Sequence, residues 1–266
     1  MEVLNSNTPT TAIRAMVLDF DGTISTLRCG WELVMEPLMI EMICGKTEPT
    51  EEIRQEVAAY IDESTGIQTI LQMKWLANAV QEKGLNPGMP TDPWFYKAEY
   101  NRRLMLQVQQ RLEDLQSGKA APEEYLMSGS LALLKALQEK GVALYVASGT
   151  DHPDVVNEAT ALGVAKYFTQ IAGAPVGSEN CSKEKVIADL LQQRNMPGQQ
   201  LAVMGDGKVE IRLGRESGAR TIGIASNERA RRGIDEVKRQ RLTAAGADVI
   251  IGDYEDLPTL LAFLGL

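Results

Sequence analysis

Two aspartates one residue apart, Asp19 and Asp21, stand at the end of a short apolar run and are followed by Gly22 and Thr23. In extended chain, residues two apart face the same side, so both carboxylates can enter one site while Phe20 turns away. Gly22 lets the backbone turn sharply and exposes amide donors. Carboxylates this close resist ionising together unless a cation sits between them or one keeps a proton, and either arrangement suits phosphate chemistry. Asp-Gly is also a common turn pair, so the doublet alone carries either reading. A second acidic pair, Asp206 and Glu210, follows Leu201-Ala202-Val203-Met204-Gly205. If a helix starts there, the pair shares one face beside the same region, although acids at a helix start are also ordinary caps. Four acids converging beside a phosphate require a hard divalent cation with oxygen ligands, and Mg²⁺ fits. Ser148-Gly149-Thr150 offers a hydroxyl and small-residue amides, and Lys183, with Lys185 as its competitor, offers a cation. A lone lysine is ordinarily a solvated surface charge.

These side chains need a scaffold. Short apolar runs without alternation occur at Ala15–Leu18, Val142–Ala147, around Phe168–Ala172, and at Leu201–Met204, Thr221–Ile224 and Val249–Ile251. Such runs are what parallel strands covered on both faces look like. Helical patterns separate them: Leu131, Leu134 and Leu137 lead to Gly141, a helix-ending glycine, and Val186 to Leu191 follows Ser182, a candidate N-cap. Strands alternating with helices predict a doubly wound, Rossmann-like α/β sheet, whose ligands bind at the carboxyl ends of the strands. Asp19, Ser148 and Asp206 all fall at such ends. The stretch 25–127 breaks the alternation with helical segments at Glu51–Glu63, Gln68–Lys83 and Trp94–Leu115. It reads as a mainly helical cap domain inserted into a core made of residues 1–24 and 128–266.

Composition narrows the setting. The chain has 266 residues, 44% hydrophobic and 24% charged, ordinary values for a globular protein with a sizeable core. Its formal net charge of −9 argues against nucleic acid or an anionic membrane as partner. Cys29, Cys44 and Cys181 are scattered and odd in number, which fits free thiols in a reducing compartment. With no secretory signal pattern and no apolar run of spanning length, the expectation is a cytoplasmic protein.

In order and placement, the DxDGT of Asp19–Thr23, the strand end at Ser148, Lys183, and Gly205-Asp206 through Glu210 resemble the motifs of the haloacid dehalogenase-like hydrolase superfamily, in its helical-cap phosphatase type. Glutamate in the last place of GDxxxD is a departure, which leaves Glu210 as a direct or a water-mediated ligand. The resemblance implies that Asp19 attacks phosphorus and forms an aspartyl-phosphate. It implies that Asp21 protonates the leaving oxygen and then activates water. It places Mg²⁺ among Asp19, the Asp21 main-chain carbonyl, Asp206 and Glu210. Gly22, Ser148, Gly149 and Lys183 are expected on the phosphoryl oxygens. By the same resemblance, Asp21 argues against dehalogenase and phosphonatase members, which lack an acid there.

The expected activity is hydrolysis of a small phosphorylated metabolite, a sugar phosphate or a phosphoglycolate-like acid. A phosphomutase of the β-phosphoglucomutase type shares the motifs, and a non-catalytic phosphate-binding module is the remaining alternative. Substrate contacts are sought among Arg28, Trp31, Lys74 and Arg102, with Arg28 and Trp31 favoured by their place just after the first motif. Trp75 and Trp94 read as packing within the cap, and His152 as a surface loop residue. The basic segment Arg229–Arg241 reads as a solvated helix, with a partner or substrate contact as the weaker reading. Oligomeric state has no sequence signal.

Overall fold

A computed structural model describes residues 1–5, 11–179, 182–192 and 195–266, with the backbone but not the side chain of Ser182. A two-residue strand β1 (Glu2–Val3) precedes β2 (Ala15–Leu18). Four helices come next in succession: α1 (Glu32–Cys44), α2 (Glu51–Glu63), α3 (Thr69–Lys83) and α4 (Pro93–Gln116). The alternation then resumes with α5 (Ser130–Glu139), β3 (Ala143–Asp151), α6 (His152–Ala161), β4 (Gln170–Ala174) and α7 (Ser182–Gln192). It continues through β5 (Leu201–Gly205), α8 (Lys208–Glu216), β6 (Arg220–Ile224), α9 (Glu236–Ala245), β7 (Val249–Ile251) and α10 (Leu257–Phe263).

The strands form one seven-stranded sheet in the order β1-β7-β6-β5-β2-β3-β4. All neighbours are parallel except β1, which pairs antiparallel with β7 at the edge. Every residue of β2 and β5 is buried. Successive side chains explain why: Ala15 and Val17 pack with Val186, Ile187 and Leu190 of α7, whereas Met16 and Leu18 join Leu133, Leu134 and Leu137 of α5. Both faces of the strand need an apolar residue at every position, which produces the unbroken runs seen in the sequence. β2 lies between β3 and β5, so its carboxyl end is flanked by theirs.

The helices α1–α4 lie between β2 and β3 in the chain. Thr50 caps α2 by accepting from the Ile53 N–H at 3.3 Å, and Asp92 accepts from the Trp94 N–H at 3.0 Å ahead of Pro93 in the first turn of α4. A bridge between Ser25 and Leu126 joins the chain where it leaves and re-enters the sheet region.

Several boundaries differ from the sequence reading. β3 runs on through Ser148 to Asp151, with its pairing to β4 shifting register between Ala147 and Asp151. Ser148 therefore sits in an irregular strand segment rather than after the strand. β4 occupies Gln170–Ala174 rather than Phe168–Ala172. The two-residue β1 is too short to carry a pattern. Cys29 and Cys44 are free thiols, while Cys181 and the capping side chain of Ser182 lie outside the described residues.

Candidate active site

The Asp19 backbone continues out of β2, its N–H donating to the Met204 carbonyl of β5 at 2.9 Å. Its Oδ1 accepts from the Phe20 N–H at 2.8 Å, and Phe20 itself is fully buried in the core, so the two aspartates share the opposite side. Gly22 has φ of +67°, and a Cβ there would stand 2.3 Å from Asp206 Oδ2, so both the turn and the close approach require glycine. The loop is fastened from two sides: Ser226 Oγ donates to the Gly22 carbonyl at 2.6 Å, and the Tyr254 hydroxyl donates to the Thr23 carbonyl at 2.9 Å.

Lys183, the second residue of α7, is buried and donates to Asp19 Oδ2 at 2.7 Å and to Glu210 Oε2 at 2.9 Å. Its competitor Lys185 is exposed and lines a different cleft. Burial opposes charge on Lys183, but Asp19 and Glu210 outweigh it and hold the ammonium well above its usual range. Burial pushes the Asp19 carboxyl up; Lys183 pulls against the rise, and Glu210 and Asp206 add to it. Burial likewise raises Asp21, opposed by Arg28 and by the Thr150 hydroxyl, which donates to Asp21 Oδ2 at 2.8 Å.

The second acidic pair meets this group by a different route from the one expected. α8 begins at Lys208, so Asp206 lies in the turn before it and does not share a helical face with Glu210. Glu210 folds back to accept from the Gly207 N–H at 2.6 Å and still reaches Lys183. One carboxylate oxygen from each of Asp19, Asp206 and Glu210 lies within 4.8 Å of the others, and all three residues are buried. Oxygen donors crowded in this way fit a hard divalent cation.

The basic segment is not simply a solvated helix. Arg229 to Arg232 precede α9, and from within α9 Lys238 turns inward to donate to Asp206 Oδ2 at 2.7 Å and Glu228 Oε1 at 2.6 Å. Burial lowers Lys238, yet Asp206 and Glu228 more than restore it; Glu228, raised by burial against the pull of Lys238, reaches about 7. Arg241 donates to the Asp206 carbonyl at 3.2 Å.

Among the favoured substrate contacts, Arg28 and Trp31 both line the cavity over the acids, together with Ser148, Gly149 and Lys183. Lys74 pairs with Glu179 and Arg102 with Glu99, both away from this cavity. His152, the first residue of α6, is exposed and accepts from the Gly173 N–H. Sequence reasoning did not single out the segment 65–67, which bends over the site. A Cβ on Gly66 would lie 3.1 Å from Glu210 Oε2, and one on Gly149 would lie 2.8 Å from the Ile67 carbonyl. Its one signal is a glycine just ahead of α3. A roomier cleft of about 750 Å³ beside Met127, Lys135 and Arg231 holds none of the converging acids, so size alone does not locate the chemistry.

The family model for haloacid dehalogenase-like hydrolase matches residues 16–224, from β2 through β6, and includes Asp19, Asp21, Ser148, Lys183, Asp206 and Glu210. The chain belongs to the haloacid dehalogenase-like hydrolases. Within the curated members, it is 23% identical over 259 residues to a phosphoglycolate phosphatase of Escherichia coli (strain K12), covering 96% of this chain and 93% of the relative. A crystal structure of a predicted phosphoglycolate phosphatase from Haemophilus somnus 129pt superposes with a TM-score of 0.64 at 14% identity, covering 95% of this hydrolase and 99% of that chain. A β-phosphoglucomutase structure from Clostridium difficile gives a TM-score of 0.63 at 14% identity, covering 94% and 97% of the two chains. These likenesses establish a shared fold. Among the described residues of this hydrolase, no helix is long and apolar enough to cross a membrane.

Proposed function

We propose that this hydrolase is a Mg²⁺-dependent phosphatase that removes phosphate from a small phosphorylated metabolite through an aspartyl-phosphate on Asp19. The observation that carries the reading is the buried Lys183 ammonium shared by Asp19 and Glu210, with Asp206 close by. An anionic nucleophile and an anionic phosphate repel one another, and a fixed cation aimed between them offsets that repulsion. Mg²⁺, when bound by Asp19 and Asp206 with Glu210 in support, supplies further charge neutralisation for the phosphoryl oxygens. The names of the curated relatives point to the same reaction class.

The chain's own residues supply the rest. Lys183 holds Asp19 Oδ2 in a fixed direction and presents its remaining donor capacity to the phosphoryl group. Ser148 and the Gly149 amide flank it, and Gly22 lets the backbone come close. Asp21 carries the proton for the leaving oxygen: burial favours its protonated form, and the Thr150 hydroxyl orients it. After departure of the alcohol, the Asp21 carboxylate draws a proton from the water that attacks the phosphoenzyme.

Residues 25–127 act in this reading as a cap on a core formed by 1–24 and 128–266, with the Ser25–Leu126 bridge as the natural hinge. Its role is to exclude water and to sort substrates by the group esterified to the phosphate. The free Cys29 and Cys44 thiols support a reducing, cytoplasmic setting. The test is phosphate release from p-nitrophenyl phosphate with Mg²⁺ and with chelator. Release that depends on the metal and vanishes in Asp19→Asn supports the proposal. Metal-independent turnover, or full activity in the variant, refutes it.

A further inference from the structure

The cavity above Asp19 encloses about 90 Å³, well below the roughly 300–1,000 Å³ of a site for a drug-sized ligand. With the cap as it stands, a phosphate and a short leaving group fill it. The charge on its walls then decides what that leaving group can be.

The lining contains two cations, Lys183 and Arg28. Lys183 is committed to Asp19 and Glu210. Arg28 is buried and is held by Glu158, whose Oε1 accepts from Nη2 at 2.6 Å and from Nε at 3.0 Å. The same guanidinium donates to Asp154 Oδ2 at 3.3 Å, and Asp21 Oδ1 stands 4.0 Å from Nε. One positive charge therefore faces three carboxyl groups. Lys97 of α4, outside the lining, is taken by Asp151 at 2.5 Å. A carboxylate or second phosphate carried into this space would meet Arg28 through its Nη1 edge, where three carboxyl groups already offset the charge, and would lie against acidic walls, an arrangement that costs affinity.

The remaining polar lining is neutral. Tyr100 lines the cavity, is almost fully buried, and its hydroxyl makes no side-chain hydrogen bond among the described residues. Burial pushes its hydroxyl up, so it stays an uncharged donor and acceptor. Gln72 donates to the Ser64 hydroxyl at 3.1 Å through Nε2, and Thr69 adds a hydroxyl to the same wall. Hydroxyl and amide groups of this kind match the hydroxyls of a polyol.

We infer that the leaving group is a short, uncharged polyol, and that Glu158 and Asp154 exclude carboxylated phosphoesters by keeping the charge of Arg28 engaged. The inference rests on the phosphatase reading and sharpens it, since it separates this chain from the substrate named for its curated relatives. Glu158 and Asp154 act through Arg28 and are positioning residues for specificity.

The experiment compares kcat/KM for glycerol phosphate and for phosphoglycolate, with Mg²⁺ present, in the wild type, Glu158→Gln and Asp154→Asn. The wild type is expected to favour glycerol phosphate by about tenfold or more, and each variant to move the ratio toward phosphoglycolate by about tenfold, chiefly through KM for the acid. A purely structural role for the two acids would depress both substrates alike. Asp154 is only half-buried, so its variant keeps the test available if Glu158→Gln does not fold. Equal or preferred hydrolysis of phosphoglycolate by the wild type, an unchanged ratio in a folded variant, or turnover of p-nitrophenyl phosphate without glycerol phosphate overturns the inference. Absence of phosphate release from all three esters removes the phosphatase reading itself.

Discussion

The Lys183 ammonium stands 2.7 Å from Asp19 Oδ2 across 164 positions of sequence, and the same nitrogen reaches Glu210. The contact ties the start of α7 to the end of β2 and to the first turn of α8. Replacing Lys183 with Met leaves two buried carboxylates without their shared cation. The expected loss in kcat is about 10²–10³-fold, the size seen when a fixed donor to developing charge is removed. Stability is expected to fall by roughly 3–5 kcal/mol, since a buried charge group has lost one partner. Steady-state kinetics and a denaturant titration with Mg²⁺ absent check the two effects separately.

Asp21 gives a prediction with a leaving-group signature. Asp21→Asn is expected to slow hydrolysis of an alkyl phosphate by about 10²–10⁴-fold. p-Nitrophenyl phosphate, whose leaving group needs little protonation, is expected to suffer less. Because burial raises Asp21, its proton is retained above the usual carboxylate range, and activity on the alkyl ester falls as pH rises through that titration. The variant loses this basic limb. Equal losses on both esters would speak against Asp21 as the proton donor.

The pair formed by Arg28 and Glu158 makes stability depend on pH with a defined sign. Burial raises Glu158 from 4.5 to about 7, with Arg28 opposing and Asp21 adding to the rise. Between those two values the folded state keeps a proton that the unfolded chain releases. The stabilisation is therefore full below about 4.5 and is lost as pH rises through about 7. Thermal midpoints of the wild type are expected to decline across this window more steeply than those of Glu158→Gln. Parallel curves for the two proteins would contradict the assignment.

Lys238 neutralises Asp206 and Glu228 from within α9. In Lys238→Met those two acids face one another without a cation, so the metal-free protein is expected to be less stable. Mg²⁺ is then expected to raise the melting temperature of the variant by more than that of the wild type. Calorimetry at matched metal concentrations reads the difference directly.

Much of the scaffold is legible in the sequence because the physics behind it is local. A strand covered on both faces must be apolar at every position, so β2 and β5 stand out, and α2 shows in the helical pattern of Glu51–Glu63. Asp19, Asp21, Ser148 and Asp206 can be picked out because strand ends gather at one edge of a parallel sheet, whereas Lys183, on α7, stands out only through the resemblance to the family motif. Lys238 and Glu228 cannot, since they meet across ten positions of loop and helix whose composition reads as solvated charge. Glu158 looks like one more polar residue of α6 until α6 is set against Arg28. Gly66 shows the same limit: its glycine is needed because Glu210, far along the chain, passes within 3.1 Å of where a Cβ would be. Such convergences belong to tertiary packing and leave little trace in spacing.

Covalent chemistry at Asp19 is the centre of the account, and trapping the phosphoenzyme tests it most directly. Protein mixed with a turning-over phosphoester and Mg²⁺, quenched in acid and digested, is expected to yield the peptide containing Asp19 with one added phosphoryl group, absent from Asp19→Asn. A phosphoryl group on any other residue, or undiminished phosphate release by Asp19→Asn, would contradict it.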